Sequence, residues 1–156
     1  MNDNITKIKD LIDEILLKLT VDASVDLVET ADGPHFIIRT LEGGLLIGEN
    51  GKTLISFIHL VKRIAEKKLK GDNGGDSFFF SLDVNDYQSK KIEDLKNIAK
   101  VNAQRVRYFK KEVVLKPMTS FERRIIHMTL ADCPDIITDS RGGEPARQVA
   151  IKPLDF

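Results

Sequence analysis

The chain has no tryptophan, one cysteine, and no apolar run approaching the roughly 18 residues that a bilayer-spanning helix needs. Each scarcity removes a class of protein. The lone Cys133 can neither staple a fold nor supply the paired thiolates of a structural zinc site, and it fits a reducing compartment as a small packing residue. The N-terminus lacks the basic stretch and short apolar segment of a secretory signal, so a cytoplasmic protein without membrane insertion is expected. His35, His59 and His127 have no partners at metal-ligand spacing, so no metal or cofactor is expected. Catalytic patterns are equally scarce. Ser140 has no nucleophile elbow around it, Cys133 precedes a proline without an evident base, and the glycines near residues 71 to 75 are not followed by the lysine and hydroxyl of a phosphate-binding loop. A non-enzymatic role is the expectation.

What remains is an ordinary globular composition, 42% hydrophobic and 31% charged over 156 residues, enough for one average domain or two small ones. The net charge of zero conceals segregation. Residues 1–45 carry 4 basic and 9 acidic side chains, 46–71 carry 6 and 2, 72–97 carry 3 and 6, 98–124 carry 8 and 2, and 125–156 carry 3 and 5. Because a surface field is damped over about 8 Å at physiological salt, two local basic patches can attract a polyanion although the whole molecule is neutral.

Hydrophobic spacing predicts an amphipathic helix over residues 4–19 with Asn4 as its cap, then a hairpin of strands near Val25–Thr30 and His35–Leu41 about a turn at Ala31–Pro34. A short helical turn at Leu45–Ile47 leads into Gly48-Glu49-Asn50-Gly51 and a longer helix closing near Gly71. A polar loop at Asp72–Asp76 precedes a buried strand, Phe78–Val84, with Phe78, Phe80 and Leu82 on one face; packing is favoured there over base stacking. A long helix runs from Asn85 and Gln88 to about Lys110, carrying Ile92, Leu95, Ile98, Ala99, Val106 and Phe109 as its apolar positions. Strands at Glu112–Lys116, Ile136–Ser140 and Arg147–Lys152 surround one more helix, with Arg141–Pro145 turning between the last two. The chain therefore reads as α+β, two small mixed units over 1–84 and 85–156.

Two stretches carry candidate chemistry. Gly48, Glu49, Asn50 and Gly51, followed by Lys52 at a helix start, form a loop in which glycines allow close main-chain approach and the helix dipole favours an anion. Leu46 and Ile47, with Ile37 or Ile38, are expected to line an apolar groove beside it for unstacked bases. In the second stretch Thr119 and Glu122 form a capping box. Phe121, Ile125, Met128 and Leu130 then define a packing face, leaving Arg123 and His127 on an outward cationic side. Arg107, Lys110, Lys116 and Arg124 lie nearby in sequence, a cluster suited to neutralising phosphates while the imidazole hydrogen-bonds one.

Taken together these residues resemble the Jag family of bacterial proteins, also called KhpB, in which a KH domain precedes a domain named for its R-x-x-x-H motif. The likeness covers residues 4–156 and rests on Ile47-Gly48-Glu49-Asn50-Gly51-Lys52, on Asp83-Val84-Asn85-Asp86-Tyr87, on Pro117-Met118 leading to Glu122-Arg123-Arg124-Ile125-Ile126-His127, and on the run from Thr138 to Arg147. The resemblance implies a type II (prokaryotic) KH domain, then an R-x-x-x-H domain with a three-stranded sheet packed on helices. It further implies binding of single-stranded RNA, or DNA, with Arg123 and His127 on an exposed helix. A KH-protein partner or a homodimer, and an indirect link to the YidC/SpoIIIJ insertase through roles in cell elongation, division or sporulation, are also implied. The N-terminal Jag module is expected to be absent. The middle pair of a KH loop is commonly basic, whereas Glu49-Asn50 places a carboxylate where a phosphate would lie; the alternative is thus a protein–protein module with little RNA affinity.

Overall fold

The computed structural model describes residues 2–70 and 78–154, and the chain divides into two compact units, Met1–Ser89 and Lys90–Phe156. In the first, α1 (Asn2–Lys18) leads to the antiparallel strands β1 (Ala23–Thr30) and β2 (Gly33–Thr40). The short helix α2 (Gly43–Ile47) and a single 3-10 turn (Glu49–Gly51) then introduce α3 (Lys52–Lys70), after which β3 (Ser81–Val84) pairs parallel to β2. The sheet order β1-β2-β3 makes β2 the central strand. Its alternation decides which side is core: Phe36 and Ile38 are fully buried on the helix-covered face, with Leu82 and Val84 beside them on β3. Against that face α1 sets Ile8, Leu11, Ile12 and Leu16, and α3 sets Leu54, Phe57, Val61 and Ala65, each at helical spacing. Burying such a side chain contributes about 1.5–3 kcal/mol.

In the second unit α4 (Tyr87–Phe109), which begins two residues before Ser89, leads through the two-residue strand β4 (Val113–Val114) to α5 (Ser120–Leu130), then β5 (Ile136–Arg141) and β6 (Gln148–Pro153). The sheet is antiparallel in the order β4-β6-β5, so the apolar run Val149-Ala150-Ile151 occupies the centre and is buried. Leu95, Ala99, Ala103 and Val106 of α4 close the core together with Ile126 and Leu130 of α5. Both units mix helices with small sheets, as the α+β reading expected.

Several expectations need correction. α1 starts at Asn2, so Asn4 is not its cap. The expected Phe78–Val84 strand contracts to Ser81–Val84: Phe80 packs edge-on against Phe36 inside the core, whereas Phe79 is exposed. The turn at Asp72–Asp76 lies outside the described residues. On α4, Ile98 and Phe109 point to solvent and Ala103 takes a core position instead, because the buried stripe follows residues 95, 99, 103 and 106.

The segment between β3 and α4 is locked by polar contacts that the spacing of apolar residues does not reveal. Asp83, only 1% exposed, accepts from the amides of Val84 (2.8 Å), Gln88 (3.1 Å) and Ser89 (3.3 Å), so it satisfies donors in the first turn of α4 from the end of the preceding strand. Asn85, held at φ +51°, accepts from the Thr40 amide (3.1 Å) and donates to the Thr40 carbonyl (2.9 Å), and Asp86 pairs with Arg39. Replacing Asp83 by Ala is expected to lower stability by about 2–4 kcal/mol, since several buried donors lose their acceptor together. Urea unfolding and amide exchange at Gln88 and Ser89 measure this; unchanged protection of both amides would show that the carboxylate is not the cap.

Candidate nucleic-acid interface

Helix α5 starts where the sequence says it should. The Thr119 hydroxyl accepts from the Glu122 amide (3.3 Å) and the Glu122 carboxylate accepts from the Thr119 amide (2.7 Å), closing the capping box. Lys91 of α4 adds an ion pair to Glu122 at 2.9 Å. The helix is, however, rotated relative to the expected faces. Arg123, Ile126 and Leu130 point inward, and Phe121 and Met128 are exposed.

Arg123 is 8% exposed, not outward-facing. Its guanidinium donates from Nη1 to the Met118 carbonyl (2.7 Å) and from Nη2 to Glu144 Oε1 (2.7 Å), joining the segment before α5 to the turn between β5 and β6. His127 stands one turn further on, half-buried, with Nδ1 2.7 Å from the Thr138 hydroxyl and Nε2 2.9 Å from the Ser140 hydroxyl. Thr138 and Ser140 are two apart on β5 and so share a face of the strand. The guanidinium and imidazole therefore clip α5 to two different stretches of chain. They are engaged by protein groups where free phosphate donors were expected. The motifs around Pro117-Met118, Arg123 to His127 and Thr138 to Glu144 are one spatial unit. Thr138, Ser140 and Glu144 are the partners that sequence reasoning missed; the alternation of two hydroxyls on a strand was the available signal.

Burial holds His127 below the ordinary histidine pKa of 6.5, the nearby Arg123 cation acts in the same direction, and Asp139 opposes them. The ring is thus neutral near pH 7 and bridges two hydroxyls as one donor and one acceptor.

The remaining predicted cations separate into two groups. Arg107 makes a two-pronged pair with Asp135, at 2.5 and 3.0 Å, which raises its own pKa and lowers that of the carboxyl. It is a scaffold contact between α4 and the start of β5. Lys110, Lys116 and Arg124 are exposed, and neither Lys116 nor Arg124 forms an ion pair among the described residues. Arg141 is another bound cation, bidentate to Glu112 at 2.6 and 2.8 Å.

The glycine loop of the first unit is also internally committed. The amides of Gly48, Gly51 and Lys52 bond the carbonyls of Gly44, Gly48 and Glu49, so these three donors serve the turn itself and are not aimed at a ligand. Gly48 sits at φ +69°, and a Cβ there would collide with the Thr53 side chain. Gly51, at φ +78°, is buried against the Tyr87 ring. Asn50 adopts φ +52°, a left-handed conformation that asparagine tolerates. Glu49, Asn50 and Lys52 are the loop's exposed side chains. The expected groove does not form: Leu46 and Ile38 belong to the core, Ile37 is buried, and Ile47 packs against the core. Leu41 and Leu45 are the large apolar side chains exposed on this segment.

With the clip geometry defined, comparison with known proteins places it in a class. Residues 93–153 match the R-x-x-x-H domain family, so the second unit carries a domain of that class. The chain is 35% identical over 135 residues to the RNA-binding protein KhpB of Clostridium symbiosum, covering 86% of this chain and 59% of that protein. It is 33% identical over 153 residues to its namesake in Lactiplantibacillus plantarum (95% and 45%) and 30% identical over 109 residues to that of Bacillus subtilis (70% and 50%). These matches support placement in the Jag/KhpB family; the chain spans about half the length of the relatives it matches. Among the described residues no helix is long and apolar enough to cross a membrane, and no group of histidine, cysteine and acidic side chains is disposed to hold a metal ion.

Two outcomes follow from the site's geometry. Gly48→Ala is expected to lower the unfolding midpoint of the first unit, through positive φ and the Thr53 collision, whereas Gly44→Ala, whose added methyl meets nothing within 4 Å, is neutral or mildly stabilising. Equal effects of the two would overturn the packing account of Gly48. For His127, the unfolded ring has the higher pKa, so the unfolded state binds more protons below about pH 6.5. The stability this ring contributes is fully present above that pH and is lost as pH falls toward the folded pKa. An NMR titration of the ring is expected to show a midpoint below 6.5, and a midpoint at or above 6.5 would contradict the buried, neutral bridge.

Proposed function

We propose that this chain binds single-stranded nucleic acid, preferentially RNA, without catalysis, through exposed basic side chains mounted on a scaffold that Arg123 and His127 hold together. The observation that carries the reading is the R-x-x-x-H domain over 93–153, a nucleic-acid-binding class of domain, with its arginine and histidine welding three motifs into one surface. In this reading Lys110, Lys116 and Arg124 contact phosphates, while Arg107, Arg123 and His127 act by positioning. The R-x-x-x-H unit is assigned residues 85–156. The first unit, 1–84, is read as a type II KH domain, supported by its order of helix, two strands, glycine loop, helix and a third strand parallel to the second. There Glu49, Asn50 and Lys52 face the strand, and Gly48 and Gly51 shape the turn. A post-transcriptional regulatory role in a cytoplasmic setting, with links to cell elongation, division or sporulation and to the YidC/SpoIIIJ insertase, extends the same reading on the strength of the family resemblance.

A second reading has its own observation. Three loop amides are already bonded within the turn and Glu49 is exposed, which suits a KH-type surface that pairs with another KH protein or with a second copy of itself. Glu49→Lys discriminates. A clear gain in RNA affinity supports a loop that faces nucleic acid; unchanged affinity alongside a stable dimer supports the protein partner.

For the leading reading, the affinity of the full chain for a mixed-sequence 12-nucleotide RNA is expected to fall with salt by a log-log slope of about 0.7 per contacted phosphate. Lys116→Ala and Arg124→Ala should each reduce that slope by about 0.7 without unfolding the protein. Fluorescence anisotropy across a salt series makes the measurement. Salt-independent binding would contradict the proposal.

A further inference from the structure

The C-terminal turn of α4 exposes two adjacent aromatic side chains, Tyr108 at 82% and Phe109 at 63%. Their rings meet edge to face with centroids 4.9 Å apart. In a chain with 6% aromatic residues, most large rings have a packing role; this pair does not. Its backbone is nonetheless firmly held. The Lys110 amide closes the helix on the Val106 carbonyl at 2.9 Å, Lys110 ends it at φ +54°, and the neighbouring Arg107 is clamped to Asp135. Two exposed rings on a fixed backbone form a platform whose ordering has already been met in folding, which favours binding.

The surroundings indicate what the platform takes. Arg105 is exposed one helical turn before the rings, and Lys110 and Lys111 are exposed immediately after them. The last carbonyls of a helix carry partial negative charge, so the rings by themselves would not attract a phosphate chain; the three cations reverse that sign. A flat π surface bordered by positive charge suits unpaired bases joined by phosphates. A second copy of the chain suits it poorly, because a two-fold interface would set the same cations against one another.

We propose that Tyr108 and Phe109 are a base-stacking platform for single-stranded nucleic acid, with Arg105, Lys110 and Lys111 holding the adjoining phosphates. This rests on the nucleic-acid reading above and adds to it a site outside the R-x-x-x-H helix. The absence of tryptophan supplies a direct probe. In the full chain, Tyr108→Trp introduces a single indole, whose fluorescence should be quenched by a 12-nucleotide oligouridylate and should saturate together with anisotropy of the labelled oligonucleotide. Polyphosphate, which offers charge without bases, should leave it unquenched. Tyr108→Ala combined with Phe109→Ala should weaken oligouridylate binding by about 5- to 100-fold, the range for a lost stacked base, while Tyr108→Phe stays within about twofold of the parent. If the parent binds the oligonucleotide and neither the quench nor the affinity loss occurs, the platform is overturned and the nucleic-acid reading stands. If the parent fails to bind at low salt, both fall. Should the double variant dissociate a parental dimer in sedimentation yet keep full affinity, the rings belong to a self-interface and the proposal is wrong. The indole readout decides the matter even if the double variant does not fold.

Discussion

A charge withdrawn from water must be met by partners at defined positions, and among the described residues this protein buries two such side chains, Asp83 in the first unit and Arg123 in the second. Each organises its surroundings. Asp83 gathers amides on both sides of a sharp chain reversal and thereby fixes where α4 begins. Arg123 gathers a carbonyl before α5 and a carboxylate far beyond it in sequence, and thereby fixes where the β5–β6 turn sits. Breaking either contact leaves the remaining partners unsatisfied in a water-poor setting, a larger loss than the contact itself contributes. The same logic extends to His127, whose two nitrogens tie α5 to alternate residues of β5.

The helices and strands were legible because they are periodic. The stripes of α1 and α3 repeat every three or four residues, β2 alternates, and Thr119 with Glu122 announces α5 unambiguously. What could not be read was direction within α5, where two inequivalent faces both contain apolar side chains. Counting Phe121, Ile125 and Met128 as the packing side placed Arg123 outward; the structure instead buries the arginine stem and guanidinium beside Ile126 and exposes Phe121 and Met128. Hydrophobicity misleads here because arginine can be buried when its fork meets suitable acceptors, and of those acceptors Glu144 is remote in sequence while Met118 offers only a backbone carbonyl. The site residues were thus located correctly as a neighbourhood and wrongly as an orientation.

The glycine loop shows a related distinction between what shapes a site and what touches a ligand. Gly48 and Gly51 are needed because Thr53 and Tyr87 occupy the space a side chain would fill, and both glycines hold positive φ. Their presence would be required whether or not anything bound there. Tyr87 belongs to the run Asp83 to Tyr87, so the lock before α4 also supports the underside of the loop, and a change in either propagates to the other through packing.

Net neutrality, finally, need not oppose attraction for a polyanion, because the two signs are used differently. In the second unit three arginines with carboxylate partners are internal fasteners: Arg107 with Asp135, Arg123 with Glu144, and Arg141 with Glu112. Planar guanidinium forks suit that work, since they fix distance and angle together. The acids so engaged are largely offset by their own partners. Lys111, Lys116 and Arg124 are exposed and form no ion pair among the described residues, so the field projected into solvent over that stretch is positive although the sum over the chain is zero. At physiological salt a strand within about 8 Å responds to that local field and not to the total. The scaffold charges set the shape of the surface, the unpaired charges set its sign, and an unpaired polynucleotide is the ligand for which both matter at once.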